Sequence, residues 1–291
     1  MHYLKPHLDQ LYARYNHRQF VFPDPLQVVY DYPDPRDQEI VGLIAAALAF
    51  GGVQQILKSI GQVLQVLGDR PHVFLADRSL AQLQRDFRGF QYRYVYAADL
   101  CALLEALGSQ LRESGALAAS FKALDPSPKG TASPAGDILP VLSAWVDCLL
   151  AAGKREKNYL LPTPARGSAC KRWHLYLRWM IRQDAVDPGA WQALLGSEAP
   201  TPARLLIPMD THMYRLTHAL GMTQRKQADL RTVSEVSAAF RRIAPEDPVR
   251  YDFAMTRLGI RRDPDIKRFV AACQGQRPDP VHDTPPDPIL R

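Results

Sequence analysis

The sequence predicts an all-α protein, and three observations carry this prediction. Apolar residues recur three and four positions apart along most of the chain, as at Ile40, Leu43 and Ala47, which is the spacing of one helix face. Runs that alternate polar and apolar residues are scarce, and the brief alternation from Tyr92 to Tyr96 has helical flanks. Proline and glycine cluster between the periodic segments, where they are expected to end helices.

In the N-terminal half, the PDP segments at residues 23–37 predict an irregular stretch that precedes a helix. Asp37 is a plausible N-cap for a helix that begins near Gln38. Apolar periodicity then predicts helices over residues 56–67, 100–111 and 138–150. The stretch 125–137 is rich in Pro, Gly and Ser, and we expect a mobile loop there.

Four more helices are predicted in the C-terminal third, over residues 171–183, 211–220, 230–243 and 247–259. Asp210 precedes the second of these, at the N-cap, where a carboxylate accepts from free amides. On the first helix one face is expected to be basic and exposed. It carries Lys171, His174, Arg178 and Arg182.

Composition excludes several classes of protein. The four cysteines are scattered without a CxxC pair, so neither a disulfide scaffold nor a four-cysteine metal site is expected. The longest apolar run, residues 41–50, is too short to span a membrane. The N-terminal residues lack the apolar core of a signal peptide. We therefore expect a cytoplasmic protein with no membrane association.

Basic charge is concentrated in one segment. Residues 154–182 contain eight Lys and Arg and one acidic residue, Glu156, whereas the whole chain carries a net charge of +6. Such a run is either a solvated face or a track for phosphates. Several common signatures are absent, namely the P-loop, GxGxxG, HExxH and GxSxG.

Four segments carry a resemblance to a known family. PMDTHMYRLTHALGM, residues 208–222, resembles the P-V-D-T-H-V-x-R-x-x-x-R-L-G-L segment of the helix-hairpin-helix DNA glycosylases. GSACKRWHLYLRWM, residues 167–180, resembles the hairpin of that family and the helix after it. Residues 39–64 and 89–107 resemble earlier helices, in the same order. The hairpin retains one glycine, and Lys171 to Asp210 spans 39 residues, as in the divergent archaeal 8-oxoguanine glycosylases.

Over its whole length the chain is most similar to an uncharacterised bacterial family, a domain of unknown function. That family is recognised by KRWxLxLRWMxR, PxDTHxxR and PEDPVxYDFAxxRLGI, and it looks like a remote branch of the glycosylases. The resemblance implies two helical subdomains with a cleft between them. Residues 1–54 would pack with a C-terminal subdomain, 166–275, around a helical barrel, 55–165. Residues 276–291, rich in proline, would form a disordered tail.

The resemblance also implies a function. The chain would be a DNA glycosylase with AP lyase activity that removes an oxidised purine from double-stranded DNA, as a monomer without cofactor or metal. Lys171 would be the nucleophile, and Asp210 would stabilise the cationic sugar. The substrate would be contacted by His212, Arg215 and Asp252. The DNA backbone would be contacted by Arg166, Gly167, Ser168, Arg172, Arg178 and Arg182.

Other interpretations of the same residues remain open. Asp210 alone is explained by helix capping, and Lys171 alone by a basic helix face. Trp173, Trp179 and Trp191 are more often core residues than platforms for bases. A non-catalytic nucleic-acid-binding protein on the same fold is the main alternative. A metal-dependent hydrolase using Asp210, His212 and either His174 or His218 is a weaker one.

Overall fold

The computed structural model describes residues 2–125, 138–260 and 264–275, and these residues are mostly helical, as the sequence predicts. The expected mobile loop, apart from its first residue, Asp125, lies outside the described residues, and so does the expected tail. The α-helices are α1 (Lys5–Tyr15), α2 (Pro35–Leu48), α3 (Val53–Leu67), α4 (Pro71–Asp77), α5 (Leu80–Asp86), α6 (Ala97–Ser114), α7 (Leu117–Ala123), α8 (Leu139–Ala152), α9 (Lys171–Ile181), α10 (Ala190–Leu195), α11 (Thr211–Ala219), α12 (Leu230–Ile243), α13 (Asp252–Ile260) and α14 (Pro264–Cys273).

Short elements complete the described part of the chain. The brief alternation near residue 92 forms a two-stranded antiparallel hairpin, β1 (Gln91–Tyr92) and β2 (Val95–Tyr96), in which Gln91 is opposite Tyr96. The 3-10 helices are His2–Leu4, Arg18–Phe20, Pro25–Asp31, Pro164–Arg166, Gly196–Glu198 and Pro202–Arg204.

Two predicted helix starts are wrong. Helix α2 is capped by Asp34, whose carboxylate accepts from the Arg36 amide at 2.9 Å. Pro35 occupies the first helical position, where its missing N–H is tolerated, so the helix begins there. Asp37 is buried instead and accepts from the backbone amide and Nδ1 of His72, at 2.8 and 2.7 Å. Helix α13 begins at Asp252 rather than at Asp247.

Two groups of helices organise the packing. Helix α6 contacts α4, α5, α7 and α8, while α2 contacts α9 and α10. Gly42 allows α2 and α9 to approach closely, since a Cβ at this position would lie 2.8 Å from Met180 Cε. Helix α13 contacts both α1 and α11. The starts of α9, α11 and α13 are thereby gathered on one side of the molecule, around the cavity described below.

The apolar face predicted for α9 lies in the core. Trp173, Tyr176, Leu177, Met180 and Ile181 are all buried. Trp173, Trp179 and Trp191 are core residues, as expected from composition. None of the helices within the described ranges combines the length and the apolar character that a membrane span requires.

One acidic side chain is buried in this core. Glu39 is inaccessible to solvent, and its carboxylate accepts from the amides of Leu117 and Ala118 at 2.7 and 2.8 Å and from Trp191 Nε1 at 3.0 Å. The two amides belong to the first turn of α7, where they have no acceptor within the helix. Glu39 therefore joins α2, α7 and α10 through satisfied hydrogen bonds.

Candidate active site

An open cavity of about 560 Å³ lies between the first turns of α3, α9, α11 and α13. Its volume falls in the range that small-molecule sites occupy. Its wall also includes residues 23–25 and the turn 49–51. The polar side chains that line it are Asp24, Lys171, Arg178, Asp210, Thr211, His212, Asp252 and Thr256.

Lys171 reaches this cavity from the first position of α9. The preceding residue, Cys170, adopts a left-handed conformation with φ +46°, which turns the chain sharply into the helix. The turn is fixed by Trp173, whose indole Nε1 donates to the carbonyl of Pro162 at 2.8 Å. The Lys171 side chain is 36% exposed, so its amine is accessible from solvent.

Asp210 faces Lys171 from the N-cap of α11. Its Oδ1 accepts from the Met213 amide at 2.8 Å, the bond expected of a capping carboxylate. Its other oxygen, Oδ2, lies 3.4 Å from Lys171 Nζ. The structure thus brings together two residues that are 39 positions apart in the sequence, and capping fixes which oxygen is presented to the cavity.

Asp252, the first residue of α13, is the buried acid of the cavity wall. Its Oδ2 is paired with Arg178, while Oδ1 has no hydrogen-bond partner among the described residues. Burial raises the pKa of this carboxyl to about 6; the Arg178 guanidinium opposes the shift and the Asp210 carboxylate adds to it. Oδ1 is also buried from solvent, so the Asp252 carboxyl is a structural part of the cavity wall with one hydrogen-bonding position unused.

The two other residues expected to contact substrate are placed differently. His212 is exposed and lines the cavity near Asp210. Arg215 is exposed about one turn further along α11 and does not line the cavity. A contact between Arg215 and a ligand held in the cavity is not supported by this arrangement.

The structure corrects the prediction that Arg178 and Arg182 contact the DNA backbone. Each residue is only 3% exposed, and each is held by ion pairs with carboxylates. Arg178 is bound by Asp187 and Asp252, and Arg182 by Asp184, Asp187 and Asp247. A contact with a phosphate would require breaking these pairs and leaving buried carboxylates without a partner, which is strongly unfavourable.

The expected basic face of α9 is therefore absent beyond its first turn. His174 is also buried, and neither ring nitrogen has a partner among the described residues. Burial lowers the pKa of this imidazole to about 4, so it is neutral near pH 7. Of the four residues predicted to share an exposed basic face, only Lys171 is accessible.

Arg172 is engaged by the protein as well. Its guanidinium donates to the carbonyls of Ala47 at 2.8 Å and Tyr159 at 2.5 Å. It also lies 4.6 Å from the Tyr159 ring centroid and 5.3 Å from that of Phe50. Arg172 thus holds the end of α2 against residue 159. It contributes positive charge near the surface, but two of its guanidinium N–H groups already donate to the protein backbone.

The turn before α9 remains on the surface. Arg166, Gly167 and Ser168 are all exposed. Gly167 has φ +73° and ends a 3-10 helix, so a left-handed residue is required there. Its carbonyl accepts from the Leu230 amide at 3.0 Å, which anchors the turn to the start of α12. These three residues are accessible to a phosphate backbone.

The cavity is not arranged as a metal site. Among the described residues, the one group with the spacing of metal ligands is Asp34, Asp37 and His72, around the start of α2. Asp210 and His212 belong to no such group within the described ranges, and His174 is enclosed in the core. The metal-dependent hydrolase alternative therefore lacks a ligand set.

Asp24 and Phe50 are among the lining residues that sequence reasoning missed. Asp24 caps the 3-10 helix Pro25–Asp31 by accepting from the Leu26 amide at 3.0 Å, and it pairs with Arg257 at 2.7 Å. The Asp-Pro dipeptide signals the cap but not the cavity. Phe50 follows α2 and contributes an aromatic wall.

Comparison with known proteins gives one match. No curated protein and no solved structure matches the chain. A family model described as "Protein of unknown function (DUF2400)" matches residues 24–261, from the cap at Asp24 to the end of α13. Because this match spans well over half of the 291 residues, the chain belongs to the DUF2400 family.

Proposed function

We propose that this protein is a divergent helix-hairpin-helix DNA glycosylase with AP lyase activity, acting on an oxidised purine in duplex DNA. The observation that carries the proposal is the pairing of Lys171 Nζ with Asp210 Oδ2, 3.4 Å apart, at an open cavity of about 560 Å³. An amine and a fixed carboxylate at the same sugar are what this chemistry needs. The glycosylase arrangement of the two helical subdomains is part of the same proposal.

The reaction begins with loss of an ammonium proton from Lys171, for which the adjacent Asp210 carboxylate is a suitable acceptor. The neutral amine attacks C1′ of the sugar, and the C1′–N9 bond breaks with its electron pair leaving on the base. The base takes up the proton that Asp210 received, so Asp210 is again a carboxylate as positive charge develops on the sugar. The sugar ring opens to give an imine between Lys171 and C1′. Removal of a C2′ proton then expels the 3′ phosphate, which cuts the strand.

Asp210 contributes in a second way. As the base departs, positive charge develops on the sugar ring, and a negative charge held nearby lowers the energy of that state. The capping bond to Met213 keeps the carboxylate in one orientation, so little reorganisation is needed during the reaction.

The base itself would enter the cavity after leaving the duplex. A small movement of the Asp252 side chain would bring its buried, unpartnered Oδ1 to a polar edge of the base, and Phe50 and Phe253 line the cavity with apolar surface. His212 at the rim is placed beside the sugar-binding pair. Exposed Arg166, Gly167 and Ser168, with the free amides of the first turn of α9, would bind the phosphates.

Borohydride trapping tests the chemistry. The wild-type protein should form a covalent adduct with a duplex that contains an oxidised purine or an abasic site, because borohydride reduces the imine. Lys171→Gln should abolish the adduct, since an amide cannot form an imine. Asp210→Asn keeps a capping side chain and should slow base excision by about 10²-fold or more, with a smaller effect on preformed abasic sites.

Thermal unfolding of each variant is the control, and both midpoints should stay close to that of the wild type. An adduct that persists in Lys171→Gln would show that another amine reacts. If the wild type traps on no oxidised, deaminated or alkylated duplex yet binds DNA, the non-catalytic binding protein becomes the better description.

A further inference from the structure

A cluster of aromatic and cationic side chains lies beside the cavity, and of these only Phe50 has a role in the proposed base excision. Phe50, Tyr94 and Tyr159 are in mutual contact, and the guanidinium groups of Arg93 and Arg172 lie against them. We call these five residues the aromatic platform. They come from the end of α2, the hairpin β1–β2, the segment before α9 and α9 itself.

The platform is a continuous stack that starts in the cavity wall. Phe50 lines the cavity, and the ring of Tyr94 stacks on it with centroids 5.5 Å apart and an interplanar angle of 19°. Tyr159 meets Tyr94 edge to face at 4.4 Å. The stack therefore leads from Phe50 in the cavity wall to Tyr94 and Tyr159 on the surface.

Hydrogen bonds make the platform rigid. The hydroxyls of Tyr94 and Tyr159 are bonded to each other, and the Tyr92 hydroxyl donates to the Phe50 carbonyl. Gly51 allows this approach, because it has φ +105° and a Cβ there would lie 2.9 Å from the Tyr92 hydroxyl. A ring held in this way loses little conformational freedom when a ligand stacks on it.

The outer part of the platform is open. Tyr94 is 48% exposed and Tyr159 is 45% exposed. Scattered exposed aromatic residues need no explanation, but two that touch each other and extend a stack from a cavity form a binding surface. The Arg93 guanidinium lies 5.8 Å from the Tyr94 centroid, so the surface combines a π-face with positive charge.

A second groove adjoins the platform. It has a volume of about 310 Å³, and Tyr159 and Arg172 line it together with Lys157, Arg166 and Ser168. Glu156 also lines it, so three cationic side chains face one anionic side chain. The groove therefore offers basic and hydroxyl groups next to the aromatic surface. An occupant that fits both regions has a flat ring and an anionic backbone.

We propose that the aromatic platform binds one unpaired nucleobase of a DNA strand, stacked on Tyr94, with the adjacent phosphates in the groove at Lys157 and Arg166. This inference goes beyond base excision and does not require Lys171 to react. Stacking on an aromatic side chain has no need of a particular base. The site would thus favour strands with an unpaired base over fully paired duplex.

Equilibrium binding to two labelled duplexes tests the proposal, one fully paired and one with a single-nucleotide bulge, both without lesions. The wild type should bind the bulged duplex more tightly. Tyr94→Ala should weaken binding to the bulged duplex by about 5- to 100-fold and leave the paired duplex within about twofold. Tyr94→Leu retains apolar contact with Phe50 but has no π-face, so it should show the same loss without a loss of folding.

The matched control is Tyr96→Ala, which removes an exposed tyrosine from the same hairpin, 55% accessible and outside the platform. It should bind both duplexes like the wild type, and Tyr94→Phe should retain most of the preference. With 2-aminopurine at the bulge, the wild type should quench its fluorescence by stacking, and Tyr94→Leu should not. Equal affinities for bulged and paired duplex, or equal losses in Tyr94→Leu and Tyr96→Ala, would overturn the proposal. Either result leaves borohydride trapping by Lys171 unaffected.

Discussion

The two ends of helix α9 carry the same kind of charge and have opposite environments. At its start Lys171 is 36% exposed and has one partner, Asp210, at 3.4 Å. At its end Arg178 and Arg182 are 3% exposed and are surrounded by carboxylates. The difference teaches that a basic run in a sequence identifies neither a surface nor a ligand. The location of the acidic partners in the fold determines whether a basic side chain is buried or accessible.

Two of those partners are remote in the sequence. Arg182 pairs with Asp247, 65 positions away, and Arg178 with Asp252, 74 positions away. The buried network therefore ties α9 to the start of α13 and holds Asp252 in the cavity wall.

The largest expected effect concerns the stability of this network. Arg182→Ala would leave the Asp247 carboxylate without its ion-pair partner and the buried Asp187 carboxylate with Arg178 alone. Removing one member of a buried ion pair typically destabilises a protein by about 3–5 kcal/mol. Urea denaturation at pH 7 should show a loss of this size.

Lys171→Ala is the matched variant at the other end of the helix. Its pair with Asp210 is partly solvated, and such pairs contribute about 0–1 kcal/mol. Equal losses of stability in Lys171→Ala and Arg182→Ala would show that the two ends do not differ in the way we describe.

The second prediction concerns pH. Burial raises the pKa of Asp252 to about 6 from a usual value of 3.8, with Arg178 opposing the shift and Asp210 adding to it. Between about pH 4 and pH 6 the folded protein keeps a proton that the unfolded chain has lost, so its free energy of unfolding falls as pH rises. Asp252→Asn removes this titration. The difference in free energy of unfolding between Asp252→Asn and the wild type should therefore change in favour of the variant by up to about 3 kcal/mol from pH 4 to pH 7.

Asp184 supplies a control of opposite sign within the same network. Burial raises the pKa of its carboxyl, but Arg182 and the amides of Asp187 and Val186 outweigh burial and bring it to about 2. The wild type therefore loses stability as pH falls through the window from about 4 to about 2, and Asp184→Asn should not show this loss. Two slopes of the same sign for Asp184→Asn and Asp252→Asn would contradict the assigned environments.

The sequence was sufficient for features that depend on neighbouring residues. Helix α12 and the start of α11 were predicted correctly, the first from its periodicity and the second from the capping aspartate Asp210. The start of α2 was misplaced, since Asp34 and Asp37 are both suitable caps and only the fold shows that Asp37 is committed to His72. The burial of Arg178 and Arg182 was not predictable from α9 alone, because the paired carboxylates are contributed largely by other segments. The aromatic platform was missed for the same reason, as its residues come from four separate segments.

The smallest expected effect sharpens the comparison at the level of DNA binding. If phosphates are bound by exposed groups, Arg166→Ala should reduce the slope of log K against log salt by about 1, since one phosphate contact releases about one counterion. Arg242→Ala removes an equally charged, exposed side chain from the end of α12 and should leave the slope unchanged. Arg182→Ala, measured under conditions in which it remains folded, should also leave the slope unchanged, because its charge is already neutralised by buried carboxylates. A slope reduced by about 1 in Arg182→Ala would mean that this side chain leaves its ion pairs to reach a phosphate, and the two ends of α9 would then serve the same purpose.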